Sequence, residues 1–299
     1  MSAIEIGPVP PGPEPASEPA LVLRAEGRPA SRWYRQPALV AGLAILTVVV
    51  GLALAAPLIT SYDPIAQNLN ETLLGPSRQH LLGTDQLGRD TFTRLLYGLR
   101  LDLRIAFIAV LLPFALGTIL GSLAGYFGGW TDSVIMRVVD IVVAFPFYVL
   151  VIALVFVLGP GERSIYIAIT AVGWVAYARI IRGEIMVAKR QDYITAARSG
   201  GLSNVRIMRR HLLPNVISQG FIYGMSDIVQ DILAIVTLGY LGLGIPPPTA
   251  DLGSMINDGQ NFLSTHWQLT TIPGLVVVVV GLGLSLVGDG LADLLRPGQ

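Results

Sequence analysis

Long apolar runs alternate with short polar segments along this chain. The apolar runs are 36–62, 105–131, 141–161, a run from Ser164 that contains Arg179, 216–243, and a stretch within 259–288. A helix that crosses a bilayer needs about 20 mainly apolar residues, and the two-residue alternation of a membrane β-strand is absent from these runs. The pattern predicts an all-α membrane protein with six transmembrane helices.

The composition agrees with this prediction. Hydrophobic residues make up 53% of the 299 residues and charged residues only 13%, whereas a soluble domain usually has about 25% charged residues. The formal net charge is zero, which gives no reason to expect nucleic-acid binding. Cysteine is absent from the sequence, and this excludes disulfides, thiolate metal sites and a cysteine nucleophile.

The first 35 residues differ from the rest. The stretch "GPVPPGPEPASEP" (7–19) is rich in proline and has almost no large apolar side chain, so it cannot bury enough surface to offset its ordering entropy. We predict a disordered cytoplasmic tail (1–35). The remaining predicted divisions are a first transmembrane helix (36–62), an external loop with a surface helix (63–103), a five-helix core (104–295) that includes a hairpin (190–214), and a C-terminal end (296–299).

Basic residues predict the orientation in the membrane. Six spans place both termini on the same side, and Lys and Arg are enriched next to cytoplasmic span ends. Lys and Arg are frequent in the tail and in the hairpin but absent from 245–270. We therefore expect both termini and the hairpin to be cytoplasmic. Five arginines between 78 and 104 argue against this orientation, but aspartates are interleaved with them.

The hairpin has the sequence pattern of two short helices. Tyr193, Ala196 and Ala197 fall on one face of the first helix. Gly200 and Gly201 can break it, because glycine adopts positive φ readily. Ser203 is a favourable N-cap for the second helix.

The second half of the hairpin is amphipathic. Val205, Met208 and Leu212 are predicted on one face, Pro214 is expected to end the element, and the opposite face has three arginines: Arg206, Arg209 and Arg210. Two interpretations remain open from this pattern. The hairpin is either a loop helix bound to anionic lipid or a docking element for a soluble partner.

Several motifs resemble a known family. "TAARSGG…HLLPN" resembles the EAA loop of ABC-importer permeases, with Ala196, Ala197 and Gly201 matching and Thr195 in place of the usual Glu. Five further stretches look like the dipeptide/oligopeptide/nickel importers: "APLITSYDP" (56–64), "HLLGTDQLGRDTFTRLLYGLR" (80–100), "GWVAYARIIRGE" (173–184), "LGYLGLGIPPP" (238–248) and "GDGLADLLRP" (288–297). The chain is identified as a member of this family, in the position of the second, C-type permease.

The resemblance implies a type I importer permease fold and a set of partners. These are a homologous permease that forms a heterodimer with this chain, two ATP-binding subunits (or one fused), and an extracytoplasmic peptide-binding protein. The hairpin would couple to the ATP-binding subunits through Tyr193, Ala196, Ala197, Gly201, Arg206, Arg209, Arg210 and Pro214. The implied location is the bacterial cytoplasmic (inner) membrane.

Catalytic motifs are absent from the sequence. The lone lysine, Lys189, is not preceded by the glycine-rich stretch of a P-loop. We therefore expect ATP and Mg²⁺ to be bound by partner subunits and no cofactor to be bound by this chain. The three histidines fall in separate loops, so neither an enzyme site nor a metal site is predicted.

Acidic residues inside the apolar pattern suggest a site. Asp227 and Asp231 are spaced i, i+4 and share a face of the fifth span. A charge at membrane depth usually faces protein or water. Two interpretations are an acidic patch in the translocation path, which would attract a peptide's α-amino group, and a buried partner for an arginine of the sister subunit.

Two smaller clusters suggest ion pairs. "GTDQLGRD" (83–90) contains Asp85, Arg89 and Asp90, which we expect to pair with one another and to support an external gate. Asp140 follows Arg137 at i+3, and we predict a local ion pair between them.

The predicted function is therefore a transmembrane permease subunit of an ATP-driven peptide importer. Two alternatives stay open. The same family also transports nickel and other small solutes, and Asp227 and Asp231 would also suit a proton-coupled secondary transporter.

Overall fold

The computed structural model describes residues 36–295, and this part of the chain is almost wholly helical. The predicted tail (1–35) and C-terminal end (296–299) lie outside the described residues. The helices are α1 (Pro37–Leu54), α2 (Ala56–Ile59), α3 (Thr91–Phe127), α4 (Gly129–Val143), α5 (Phe147–Leu158), α6 (Glu162–Ala188), α7 (Asp192–Ser199), α8 (Asn204–Ile207), α9 (Leu213–Tyr240), α10 (Leu252–Gly259) and α11 (Gln268–Leu295). Short 3₁₀ turns at Leu69–Glu71 and Gln260–Phe262 and a π-helical segment at Met208–Leu212 complete the regular structure of this range.

The helix lengths confirm the all-α membrane prediction. Within 36–295, five helical stretches are long and apolar enough to cross a bilayer: α1, α3, α6, the stretch from Asn204 to Tyr240, and α11. A sixth span is obtained when α4 and α5 are counted as one broken span, since their axes differ by 88°.

Small residues hold α3 against α6. A Cβ added at Gly117 would lie 2.5 Å from Tyr177 Cβ, and one at Gly121 would lie 2.9 Å from Ala178 Cα. These two glycines are four residues apart and face the partner helix, so the backbones approach as closely as small-x-x-x-small spacing allows. The α3–α6 pair forms the centre of the fold.

A second closely packed pair of helices consists of α1 and α11, the first and last helices of the described residues. Gly42 of α1 faces Leu286 of α11, and Gly290 of α11 faces Leu39 of α1. A Cβ at either glycine would lie within 2.8 Å of that neighbour's Cβ. The first span therefore packs against the last one.

The segment predicted as an external loop with a surface helix differs in the structure. Residues 91–103 are the first turns of α3, not a separate surface helix. Arg94 and Asp102 in this stretch are both buried. Arg94 Nη1 donates to the Pro64 carbonyl at 3.2 Å, and Asp102 Oδ2 accepts from Leu252 N–H at 3.0 Å. These hydrogen bonds allow the first turns of α3 to be buried in the protein. The sequence alone shows only a charged amphipathic stretch.

The predicted third span (141–161) is interrupted. Helix α4 ends at Val143, and α5 begins at Phe147. Pro146 precedes α5, and a proline disfavours helical geometry at the residue before it. The charge-free run across 141–161 concealed this break.

Candidate functional site

The hairpin (190–214) consists of two short helices joined by a glycine turn. Helix α7 ends at Ser199, and Gly201 has φ of +78°, a left-handed conformation that favours glycine. The break predicted at Gly200 and Gly201 is therefore present. Ser203 lies at the N-cap of α8, although its side chain makes no capping hydrogen bond.

An apolar core anchors the hairpin to the long helices. Ile194 of α7 and Ile207 of α8 are fully buried. Both belong to one cluster with Ile181 and Ile185 of α6 and Val216 of α9. Burying a side chain of this size stabilises a structure by about 1.5–3 kcal/mol, so the two isoleucines fix the hairpin to the membrane helices.

Polar contacts reinforce the same attachment at the end of α3. Tyr126 O–H donates to Asn204 Oδ1 at 2.7 Å, and the Arg198 guanidinium carbon lies 5.4 Å from the centre of the Tyr126 ring. Lys189 Nζ donates to the Gly125 carbonyl at 2.6 Å. A cation beside the last carbonyls of a helix is favourable. The end of α3 therefore contacts both helices of the hairpin.

The outer face of the hairpin is exposed, small and basic. Tyr193 is 43% exposed, Ala196 is exposed, and Ala197 packs partly against the apolar core. A groove of about 550 Å³ lies along the second half of the hairpin, lined by Ser203, Val205, Arg206, Arg209, Arg210 and Pro214. The three arginines in that lining form no ion pair with the described residues. This basic face is exposed in the part of the chain that the structure describes.

Two predictions for the second half of the hairpin were wrong. Val205 does not share a buried face with Leu212, since Val205 is 66% exposed. Ile207 is the residue of α8 that lies in the core. Pro214 does not end the element, because it lies in the first turn of α9. The π-helical turn before it explains why: Leu213 N–H bonds to Met208, five residues back. This wider turn relieves the clash that a proline ring makes with a regular helix.

Asp227 and Asp231 both lie inside α9 and are both buried. Tyr177 O–H of α6 donates to Asp227 Oδ2 at 2.7 Å. Both carboxylate oxygens of Asp231 are buried and have no hydrogen-bond partner among the described residues. Asp227 thus has a hydrogen-bond partner on α6, whereas Asp231 is enclosed within the fold.

A cavity of about 490 Å³ lies beside Asp227, between the α4–α5 bend, α6 and α9. Its polar lining residues are Arg179, Tyr223, Asp227 and Gln230. The local Arg137–Asp140 ion pair that we predicted is not the one formed, because Asp140 pairs with Arg179 of α6 at 3.1 Å. The sequence did not reveal the cavity, since the residues of its wall come from three separate segments.

The loop before α3 contains a buried network of charges. Asp85 accepts from Arg89 Nε at 2.6 Å and from Arg89 N–H at 3.0 Å, as predicted for this pair. Asp90 pairs instead with His80, at 2.8 Å between Oδ1 and Nδ1, and caps α3 by accepting from Thr93 N–H at 2.8 Å. The network lies at one end of α3, and the hairpin lies at the other.

Helix α10 is joined to this end of α3 by residues that the sequence did not single out. Asp251 caps α10, with Oδ1 accepting from Ser254 N–H at 2.9 Å. Burial raises the pKa of Asp251 above its ordinary value. Gly98 allows the contact, since a Cβ there would lie 3.2 Å from Asp251 Cα. The two loops at this end of the protein therefore form one packed unit with α3.

Two family models match the chain. One, described as "Binding-protein-dependent transport system inner membrane component", matches residues 117–299. The other, described as "N-terminal TM domain of oligopeptide transport permease C", matches residues 30–76. The chain belongs to the family of binding-protein-dependent transport permeases. The hairpin, the cavity and the α3–α6 contact at Gly117 and Gly121 fall within the first match.

Curated relatives of this permease are similar over most of their length. The dipeptide transport system permease protein DppC of Bacillus subtilis (strain 168) is 38% identical, covering 86% of this chain and 81% of the relative. DppC of Haemophilus influenzae is 38% identical over 86% of this chain and 89% of its own. The glutathione transport system permease protein GsiD of Pectobacterium atrosepticum is 37% identical over 89% of each chain.

Solved structures with the same fold come from ABC transporters. A chain of the structure described as "Inward facing conformations of the MetNI methionine ABC transporter: CY5 SeMet soak crystal form" superimposes with a TM-score of 0.53 at 17% identity, covering 68% of the permease and 97% of that chain. A chain of "Crystal structure of an amino acid ABC transporter with histidines" gives 0.51 at 17% identity, covering 66% and 91%. The permease therefore has the fold of ABC-importer membrane subunits.

Proposed function

We propose that this permease is the C-type membrane subunit of an ATP-driven peptide importer in the bacterial inner membrane, and that its hairpin couples it to a separate ATP-hydrolysing subunit. The observation that carries the proposal is the hairpin itself. Its inner face is fixed to α3, α6 and α9 by buried isoleucines, whereas its outer face is small, basic and exposed. Such an element transmits movement of a docked subunit to the spanning helices.

The coupling surface consists of the predicted residues in two groups. Tyr193, Ala196, Ala197 and Gly201 supply a small face that a partner can approach closely, and Pro214 borders the groove. The remaining three, Arg206, Arg209 and Arg210, supply positive charge that fixes the register of the contact. ATP and Mg²⁺ bind the partner subunits in this proposal, and the hairpin is cytoplasmic with both termini.

The rest of the assembly follows from the same family. A homologous permease supplies the other half of the translocation path, two ATP-binding subunits (or one fused) dock on the cytoplasmic side, and an extracytoplasmic protein delivers the peptide. The charge network of Asp85, Arg89 and Asp90 supports the external side of the path, because it ties the loop before α3 to that helix.

A peptide is the preferred substrate class over nickel. The relatives named above are dipeptide and glutathione permeases. Asp227 and Asp231 lie in the path in this proposal, where a pair of carboxylates attracts the α-amino group of a peptide.

The energy source separates the proposal from the proton-coupled alternative. The complete complex is reconstituted in vesicles, and uptake of a labelled dipeptide is measured with ATP. We expect vanadate to stop uptake and a protonophore to leave it unchanged. Uptake that stops with the protonophore but continues with vanadate would show a secondary transporter, and ATP-driven uptake of nickel without peptide uptake would show the other substrate class.

The coupling role is tested with Gly201→Asp in the same vesicles. We expect the complex to assemble, uptake to be lost, and ATP hydrolysis to be weakened or no longer stimulated by the peptide-loaded binding protein. Normal coupled transport by this variant would show that the hairpin is an ordinary loop.

A further inference from the structure

The cavity at the α4–α5 bend has the size of a small-molecule site. Its volume of about 490 Å³ falls within the range of about 300–1,000 Å³ that is usual for such sites. Most of its wall is apolar, with Val143, Phe145 and Val172 among the lining residues. The bend opens this corner, because α5 turns away from α4 by 88°. An apolar wall with few polar groups suits a ligand that is oriented by a small number of charges.

One wall of the cavity has a carboxyl group. Tyr223, Asp227 and Gln230 line it from successive turns of α9. Tyr177 holds this side in place: its hydroxyl binds Asp227 at 2.7 Å, and its ring packs edge-on against Tyr223 at 4.9 Å between centres. Asp231 lies one turn further along α9, and its two buried oxygens have no partner among the described residues. Tyr177 therefore fixes the position of the Asp227 carboxyl group in this wall.

The cavity also has a positively charged residue in its lining. Arg179 lines it from α6, on the same helical face as Ala176 and Val172. Its guanidinium donates to Asp140 from Nη2 at 3.1 Å. That pair is exposed, with side chains 47% and 62% accessible, and such pairs are weak. A guanidinium has five N–H donors, so Arg179 can bind a second carboxylate in the cavity.

We propose that this cavity binds the zwitterionic main chain of a short peptide, with the α-ammonium at Asp227, the terminal carboxylate at Arg179 and the side chains against the apolar wall. This inference rests on the proposed function and assigns a site to its substrate. A metal cation would meet Asp227 but would be repelled by Arg179. A peptide with both ends free matches both charges.

The test uses the fact that the chain has no cysteine. Ala176→Cys places one thiol in the cavity wall, and its labelling by a maleimide is read on this subunit in the complete complex. The complex is held in vesicles of anionic lipid without the binding protein, so that neither zwitterionic headgroups nor that protein select the peptide. Val187→Cys is the control, because Val187 is 64% exposed on α6 and does not line the cavity.

We expect the dipeptide Ala-Phe to protect the thiol of the Ala176→Cys variant and to leave the thiol of the Val187→Cys variant unprotected. Its N-acetylated and C-amidated forms should need about tenfold higher concentrations, which corresponds to the loss of one ion pair worth about 1.4 kcal/mol. Arg179→Gln should make the amide and the free peptide equally effective, and Asp227→Asn should do the same for the acetylated peptide. ATPase activity of each complex confirms that it has assembled.

Equal protection by free and blocked peptides, or unchanged preferences in both variants, would overturn the proposal. Absence of protection by any peptide would also overturn it. Uptake by the same complex with its binding protein separates the two levels of inference. Normal ATP-driven peptide uptake without these preferences refutes the cavity alone, whereas no peptide uptake by the unsubstituted complex refutes the proposed function.

Discussion

Truncation of Ile194 should loosen the hairpin without disturbing the membrane helices. Ile194 is 0% exposed and packs with Ile207 in the core beneath the hairpin. Ile194→Ala removes three carbons, which is worth about 2.4 kcal/mol at about 0.8 kcal/mol per carbon. The cavity left behind adds to this cost, and the total for such a truncation is about 2–5 kcal/mol. We expect the free energy needed to open the hairpin locally to fall by about 3 kcal/mol.

Hydrogen exchange measures this change directly. A cost of about 3 kcal/mol increases the open fraction by more than about 100-fold, and amides of α7 should lose protection by that factor. Amides in the middle of α3 and α6 should exchange as before. Val205→Ala is the matched control, since Val205 is 66% exposed and surface substitutions usually change stability by less than about 0.5 kcal/mol.

Equal exchange of the α7 amides in the Ile194→Ala and Val205→Ala variants would contradict this prediction. It would mean that the apolar core does not hold the hairpin. The hairpin then could not transmit force from a docked subunit through these contacts.

Three further predictions concern glycines and the charge network. Gly121→Ala should lower the stability measured by thermal unfolding in detergent by about 1–3 kcal/mol, because the added methyl group would press on the backbone of α6. Gly183→Ala is the control, since no atom lies within 4 Å of a Cβ there. An equal loss in both variants would contradict the close α3–α6 packing. Asp85→Asn should reduce the stability of the loop before α3 by about 3–5 kcal/mol, because it breaks the buried ion pair with Arg89. Proteolysis between residues 63 and 90 should become faster, and an unchanged rate would count against the network. Gly201→Ala should destabilise the hairpin by about 1–2 kcal/mol, because alanine is strained in the left-handed conformation of this residue. Gly200→Ala is the control, since Gly200 has φ of −74°. Similar hydrogen exchange of the hairpin amides in both variants would disprove this prediction.

Features governed by local chemistry were predictable from the sequence. The bilayer sets the length of a span, so the apolar runs located α1, α3, α6, α9 and α11. The glycine turn of the hairpin was predictable for a different local reason, since few residues other than glycine adopt positive φ. The Asp85–Arg89 pair is four residues apart and needs no tertiary information.

Features that depend on distant contacts were not predictable. Asp140 pairs with Arg179 of α6 and not with its neighbour Arg137. Lys189 binds the end of α3, 64 residues away in sequence. The helix through Pro214 continues because of a π-helical turn that leaves no sequence signal. In each case the fold offered a partner or a geometry that spacing along the chain does not reveal.

The central claim is that the hairpin docks on an ATP-hydrolysing subunit, and site-directed cross-linking in the assembled complex tests it most directly. Ala196→Cys places a thiol on the exposed face of α7 in a chain without cysteine. Leu58→Cys, at a residue that is 90% exposed on α2, is the control on the opposite side of the membrane in the proposed orientation. We expect a short thiol-to-amine reagent to link the Ala196→Cys variant, but not the Leu58→Cys variant, to the ATP-hydrolysing subunit. Failure of the Ala196→Cys variant to form this link in an active complex would contradict the claim.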